Sequence, residues 1–279
     1  MPSTLKIDKI GYWSEVKLHI LEEYAKPYNQ IIRSKNLHPI YIDGFAGAGH
    51  HKAKGSDRLI EGSPKRALSV QPPFEIFHFV DMDSARTDAL MQMSAGRPDV
   101  IVHHGDCNEI LIRDVFPNVR FDQFQRALCI LDPYGLNLDW QVIKAAADSR
   151  AIEIFLNFPV MDMNRNVFWH NYEQVAPASQ DRMTRFWGDE SWKNSAYQTV
   201  QGLFHEMEMR NSINTVVDAF RERLKKVAGF KYVPQPMPMR NSVGATVYYL
   251  FFAAQVQTAE NIVKDIFRKY GQVGETPNG

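Results

Sequence analysis

Two cysteines, Cys107 and Cys129, are all that the 279 residues contain, with neither a CxxC pair nor an even framework among them. A disulfide-stapled scaffold is excluded, and two buried thiols in a reducing compartment are expected. No sign of charge prevails: 32 lysines and arginines stand against 32 aspartates and glutamates. Contact with nucleic acid would therefore need a local basic patch rather than a global field. The longest apolar run, residues 247–254, falls far short of the roughly 20 residues a membrane helix needs. The first nine residues alternate in charge with no apolar segment behind them, so the expected protein is cytoplasmic, with no membrane association. Low-complexity segments and internal repeats are missing, as are the GxxxxGK[ST] loop of phosphoryl transfer and the GxSxG elbow of serine hydrolases.

What remains is an ordinary globular composition, 44% hydrophobic and 23% charged, with room for one large α/β domain carrying an insertion or for two small domains. Periodicity predicts a helix over 14–33, kinked or split at Pro27, and then a strand over 39–42 that runs into Asp43-Gly44-Phe45-Ala46-Gly47-Ala48-Gly49. A polar stretch follows, then a short helix to residue 70 with Ser63 as its N-cap and Pro64 in its first turn. Strands are expected over 74–80, 100–103, 126–131 and 151–158, with helices over 84–93 and 140–147. Residues 160–229 read as an inserted helical lobe, with helices over 196–209 and 212–227. Strands over 231–238 and 246–254 around a turn at 241–244, and a helix over 260–270, close the chain.

Alternating strands and helices imply a doubly wound, mostly parallel α/β sheet, and ligands bind such sheets at the carboxyl ends of the strands. Four polar clusters fall at those ends: Asp43, Asp81 with Met82 and Asp83, Gly105-Asp106-Cys107, and Asp132-Pro133-Tyr134-Gly135. The glycine loop lets backbone approach a ligand closely, though it lacks the full GxGxxG spacing of a nicotinamide site. Asp81 is placed to accept hydrogen bonds from ribose hydroxyls, with Asp83 as the cap of the next helix. Asp106 could take an exocyclic amine of an adenine, with Cys107 against the ring edge. Asp132 and the Pro133 carbonyl can accept both hydrogens of an amino group while Tyr134 stacks on its base.

In that order, these clusters resemble the motifs of class I S-adenosylmethionine-dependent methyltransferases, most like those acting on adenine N6. Tyr41-Ile42-Asp43-Gly44-Phe45-Ala46-Gly47, Gly62-Ser63-Pro64-Lys65-Arg66-Ala67-Leu68, Leu131-Asp132-Pro133-Tyr134-Gly135, Phe158-Pro159 with Asn164-Arg165-Asn166, and Phe186-Trp187-Gly188 with Trp192 are similar more narrowly to the bacterial three-Cys-motif partner proteins. The likeness runs from about residue 17 past residue 192. It implies a seven-stranded Rossmann-like sheet whose last two strands form an antiparallel hairpin, and a Rossmann-like core over 38–159. It further implies an N-terminal helix within 1–37 packed on that core, and residues 230–279 completing it. S-adenosylmethionine would lie with its methionine portion over Asp43, Gly44, Phe45, Ala46, Gly47 and Gly49, its ribose on Asp81 beside Met82, and its adenine near Asp106 and Cys107. Asp132, Pro133 and Tyr134 would meet the methyl acceptor. A genomically neighbouring three-Cys-motif protein would be the partner. The Asp-Pro-Pro-Tyr of adenine methyltransferases is shortened here to Asp132-Pro133-Tyr134-Gly135, which moves the aromatic ring by one position. The alternative is a non-catalytic nucleoside-binding or partner-docking module on the same fold.

Other signals point less sharply. The pairs His50-His51 and His103-His104 cannot each chelate one metal from a strand, because neighbouring side chains point to opposite faces, so no metal site is expected. Residues 221–231 carry five basic side chains against Glu222 and, with Trp187 and Trp192, read as a solvated helix face or a nucleic-acid grip.

Overall fold

A computed structural model describes residues 7–169, 174–201, 206–241 and 243–273. The chain begins with β1 (Lys9–Ile10) and α1 (Tyr12–Ser34), whose buried positions Val16, Ile20, Leu21, Tyr24 and Tyr28 recur at helical spacing. Pro27 lies inside α1, yet the helix runs through it in one piece. Tyr24 and Tyr28, on either side of the proline, pack into one apolar cluster with Phe74, Phe155 and Phe252, and that burial outweighs the lost backbone bond.

β2 (His38–Asp43) leads into the glycine loop. The polar stretch behind it forms β3 (His50–Ala53) and β4 (Leu59–Glu61), which pair antiparallel and join β1 in a small three-stranded sheet. Next comes α2 (Ser63–Leu68). Gly62 takes its cap position, one residue earlier than the sequence predicts, so Ser63 lies in the first turn and no side chain caps the helix. The chain continues through β5 (Ile76–Asp81), α3 (Ser84–Met93), β6 (Val100–His104), α4 (Cys107–Ile110), β7 (Gln125–Leu131), α5 (Trp140–Ser149) and β8 (Ile152–Phe158).

Beyond β8 lie α6 (Val160–Asn166), α7 (Pro177–Trp187) and α8 (Trp192–Ala196). The helix expected over 196–209 is instead a strand pair, β9 (Tyr197–Gln201) and β10 (Glu206–Arg210), with Tyr197 opposite Arg210. Its Glu206-Met207-Glu208-Met209 run alternates with period two, the strand period. Ser212 caps α9 (Ile213–Arg223) by accepting the Thr215 N–H. β11 (Met237–Arg240), β12 (Thr246–Ala253) and α10 (Gln257–Val273) complete the fold.

The main sheet has seven strands in the order β11-β12-β8-β7-β2-β5-β6. Strands β6, β5, β2, β7 and β8 are parallel, while β12 runs antiparallel to β8 and pairs with β11 as a hairpin. This is the doubly wound, mostly parallel Rossmann-like arrangement with its closing antiparallel hairpin. Alternate residues face opposite layers: Ile40 and Ile42 join the cluster that contains α5 and α9, and Tyr41 joins the one that contains α1 and α10. Phe168, Phe186, Trp187, Trp192 and Phe220 share the first cluster with the strands, so both tryptophans are core residues and are closed to nucleic acid. From β2 the chain winds outward through β5 to β6, then returns to β7 on the other side. The crevice of such a sheet opens at that reversal, above the carboxyl ends of β2 and β7. No helix among the described residues is long and apolar enough to cross a membrane.

Candidate functional site

Backbone at the strand ends is tied into one frame. The Gly44 N–H donates to the Ile130 carbonyl at 2.9 Å, Ala46 to Val80 at 2.9 Å, and Gly105 to Asp81 at 3.0 Å, so the loops after β2, β5, β6 and β7 hold one another. Asp81 works twice within this frame. Its Oδ2 accepts the Gly47 N–H at 2.8 Å and its Oδ1 accepts the Asp83 N–H at 2.9 Å. Asp83 caps α3 by accepting from Ala85 and Arg86, as the sequence predicts. Asp106 caps α4 through the Asn108 N–H at 2.9 Å. Gly47 sits at φ +65°, where a β-carbon is disfavoured, and a β-carbon there would meet nothing within 4 Å.

Two cavities open above the frame. One, of about 760 Å³, is lined by Gly44, Asp81, Met82, Asp106, Cys107 and Asn108. The other, of about 500 Å³, is lined by Ala46, Gly47, His51, Asp132, Pro133 and Asn157. Phe45 and Tyr134 line both, so the two cavities share a wall. Tyr134 is fixed there by a cluster that sequence reading did not find. Its hydroxyl donates to Asp8 at 2.7 Å and accepts from Arg86 at 2.8 Å, and Arg86 pairs with Asp8 at 2.9 Å and reaches to 3.7 Å from Asp81.

Asp43 lies beneath the loop and lines neither cavity; its Oδ1 accepts the Phe45 N–H at 3.2 Å and Oδ2 is buried without a hydrogen bond of normal geometry. Burial pushes its carboxyl up to about 6, against the Ser63 hydroxyl and the Phe45 N–H, which favour the ionised form. Gly49 likewise lines neither cavity, because its α-carbon faces Met93. Of the remaining predicted residues, Gly44, Phe45, Asp81, Met82, Asp106, Cys107 and Tyr134 gather around the larger cavity. Ala46, Gly47, Asp132 and Pro133 gather around the smaller.

The smaller cavity is built on a buried ion pair. Lys17, from α1, pairs with Asp132 Oδ2, and Asn157, from β8, donates to Oδ1 at 2.8 Å. Burial opposes the Lys17 ammonium, but the Asp132 carboxylate and the neighbouring Tyr248 and Asp43 outweigh it and hold its pKa well above the usual lysine range. Among the described residues, three buried polar atoms of the lining have no hydrogen bond: His51 Nδ1, Asn157 Oδ1 and Asp162 Oδ2. Burial, followed by the Lys17 charge, lowers the His51 pKa, so its imidazole is neutral at pH 7. Buried polar groups are normally satisfied, and three orphans around one cavity mark where a polar ligand would complete the bonding. Lysine on the buried stripe of α1 and asparagine in the apolar run of β8 were the available sequence signals.

No family model matches the chain, and no curated protein matches it in sequence. A Legionella pneumophila structure carrying the family designation DUF519 is similar in fold, at 10% identity and a TM-score of 0.52 over 92% of this chain and 91% of that one. A structure from Thermobifida fusca, described as a candidate methyltransferase, matches at 14% identity and a TM-score of 0.43 over 87% and 79%. One from Listeria monocytogenes, described as a candidate S-adenosylmethionine-dependent methyltransferase, matches at 10% and 0.41 over 79% and 92%. At such identities the likeness is one of fold alone.

Proposed function

We propose that the chain is an S-adenosylmethionine-dependent methyltransferase acting on an exocyclic amine, with adenine N6 in nucleic acid as the acceptor. The observation that carries this reading is the pair of cavities sharing the Phe45 and Tyr134 wall above the sheet's reversal point. A group transfer between two bound molecules needs two adjoining sites. The resemblance of the strand-end motifs to class I methyltransferases says which molecule belongs in which.

The residues present fit the cofactor. Empty space lies against the Gly47 α-carbon, and the larger cavity offers carboxylates at Asp81 and Asp106 to the hydroxyl and amino groups of an adenosine. S-adenosylmethionine supplies a methyl group activated on a positively charged sulfur. Asp132 still has acceptor capacity, since a carboxylate has about four lone-pair directions and only two are used here. Those directions and the Pro133 carbonyl hold the amine, while Tyr134 offers a ring face for its base. His51, neutral and unpartnered at Nδ1, is the group available to take the proton the nitrogen must lose. Lys9 and Arg165 at the mouth, with half-exposed Trp169 next to Arg165, suit phosphate contact and base stacking.

Incubation with methyl-labelled cofactor and RNA or DNA, followed by nucleoside mass spectrometry, tests the assignment. N6-methyladenine should form and should vanish in Asp132→Asn. One observation favours a second reading, a nucleoside-binding module that docks on a neighbouring three-Cys-motif protein: Lys17 and Asn157 already occupy both Asp132 oxygens. Cofactor binding with no label in any nucleic acid, together with a co-purifying partner, would decide for it.

A further inference from the structure

A third cavity, of about 880 Å³, lies at the other edge of the sheet, where β7 and β8 begin with Arg126 and Ile152 among its walls. None of the strand-end motifs reaches it. Its floor holds a polar group with an unmet bond: the Tyr28 hydroxyl is buried and has no hydrogen-bond partner among the described residues. Glu153 beside it accepts from Tyr24 through Oε2 at 2.5 Å and leaves Oε1 unbonded. Burial raises the Glu153 carboxyl to about 7, so at neutral pH it can donate or accept a proton in a hydrogen bond. Ile31, Ile32, Ile152 and Ala228 supply apolar wall between floor and rim.

The rim is cationic. Lys35, Arg126, Arg150 and Lys231 line it, and among the described residues none of the four has a carboxylate within ion-pair distance. The remaining lining lysine, Lys144, is paired with Asp148. Arg126 lies over the Phe121 ring at 3.8 Å from its centroid, and half of the Phe121 surface is exposed, which leaves a planar ledge at the entrance. A hydrogen-bonding floor, apolar walls, a planar ledge and unpaired cations at the rim define a ligand with a flat polar-edged ring at one end and an anion at the other.

We propose that this cavity binds a nucleoside 5′-monophosphate, with the base edge on Tyr28 and Glu153 and the phosphate on Arg150, Lys231 and Lys35. The volume is within the range of small-molecule sites. The site is separate from the methyl-transfer crevice and does not rest on that assignment. The same chemistry could come from a free nucleotide or from the 5′-terminal nucleotide of a nucleic acid.

Calorimetric titration of the full chain with AMP, GMP, CMP, ribose 5-phosphate and a 5′-phosphorylated hexanucleotide tests this. At least one mononucleotide should bind at one site per chain. The dissociation constant should rise at least tenfold in Tyr28→Phe, which removes only the orphaned hydroxyl, and at least tenfold in the exposed double variant Arg150→Ala/Lys231→Ala. Asp83→Ala, which alters only the cap of α3, should leave it unchanged. Tighter binding of the hexanucleotide would identify the source as a nucleic-acid end, and weaker or equal binding as the free nucleotide. Failure of all three mononucleotides to bind, equal binding of ribose 5-phosphate, or a loss in Asp83→Ala with none in Tyr28→Phe would overturn the proposal.

Discussion

The two cavities that share the Tyr134 wall are made in different ways. Around the larger one the acids are already used by backbone: Asp81 takes the amides of Gly47 and Asp83, and Asp106 that of Asn108. The Asp83 and Asn108 bonds belong to local turns and helix caps, and the Gly47 bond ties the glycine loop to the end of β5, 34 residues on. Around the smaller one the contacts join side chain to side chain, Lys17 to Asp132 and Asn157 to Asp132, and three lining polar atoms have no partner among the described residues. The first side is a platform whose acids are engaged by backbone amides. The second is a charged, incompletely bonded pocket in which Lys17 of α1 is set against Asp132.

Breaking the ion pair should give the largest effect. Asp132→Leu leaves the Lys17 ammonium buried without its partner, at a cost of about 3 kcal/mol, the low end for buried pairs because the Asp132 carboxyl is about one-third exposed. Lys17→Met/Asp132→Leu should recover most of that stability in urea unfolding and none of the methyl transfer. Equal instability of the single and double variants would show that the pair is not coupled. Second in size, His51→Gln should slow methyl transfer by about a hundredfold, as loss of a proton acceptor does, without changing cofactor affinity. A single-turnover rate equal to wild type would remove His51 from the chemistry.

On the platform side the effects shrink. Asp83→Ala should cost about 1 kcal/mol of stability by thermal melting, with no change in cofactor affinity, since that side chain is a helix cap. Last, because it is confined to one pH window, is an effect from Asp43, beneath the glycine loop. Its carboxyl is harder to ionise in the folded chain than in the unfolded one, so the stability it contributes is full below about 3.8 and lost as pH rises through about 6. Asp43→Asn should flatten the stability profile in that window and leave the rest of the curve alone. A profile identical to wild type would mean that Asp43 titrates normally.

The same contrast explains what could be read from the sequence. Strand ends announce themselves through local composition: Asp43 before its glycines, Asp81 before a capped helix, Asp132 before Pro133. All three fall where the sequence places them; the closing hairpin also forms, but its first strand is Met237–Arg240 rather than 231–238. The helix expected over 196–209 is a strand pair because its short Glu206-Met207-Glu208-Met209 run alternates with period two, which suits a strand rather than a helix. Lys17, Asp8, Arg86 and Asn157 were not visible as site residues, because nothing in a single sequence says that residue 17 meets residue 132, or residue 8 meets residues 86 and 134. Tyr134 was legible as a ring over the site but not as the hub of an Asp8 and Arg86 cluster.

Calorimetric titration with S-adenosylhomocysteine, on wild type, Asp81→Ala and Asp83→Ala, tests the central claim most directly. One site per chain should appear in the wild type, its affinity should fall tenfold to a hundredfold in Asp81→Ala, about 1.4 to 2.7 kcal/mol, and Asp83→Ala should bind as wild type does. No heat of binding in the wild type with either S-adenosylhomocysteine or S-adenosylmethionine would contradict the assignment of the strand-end cavity to this cofactor.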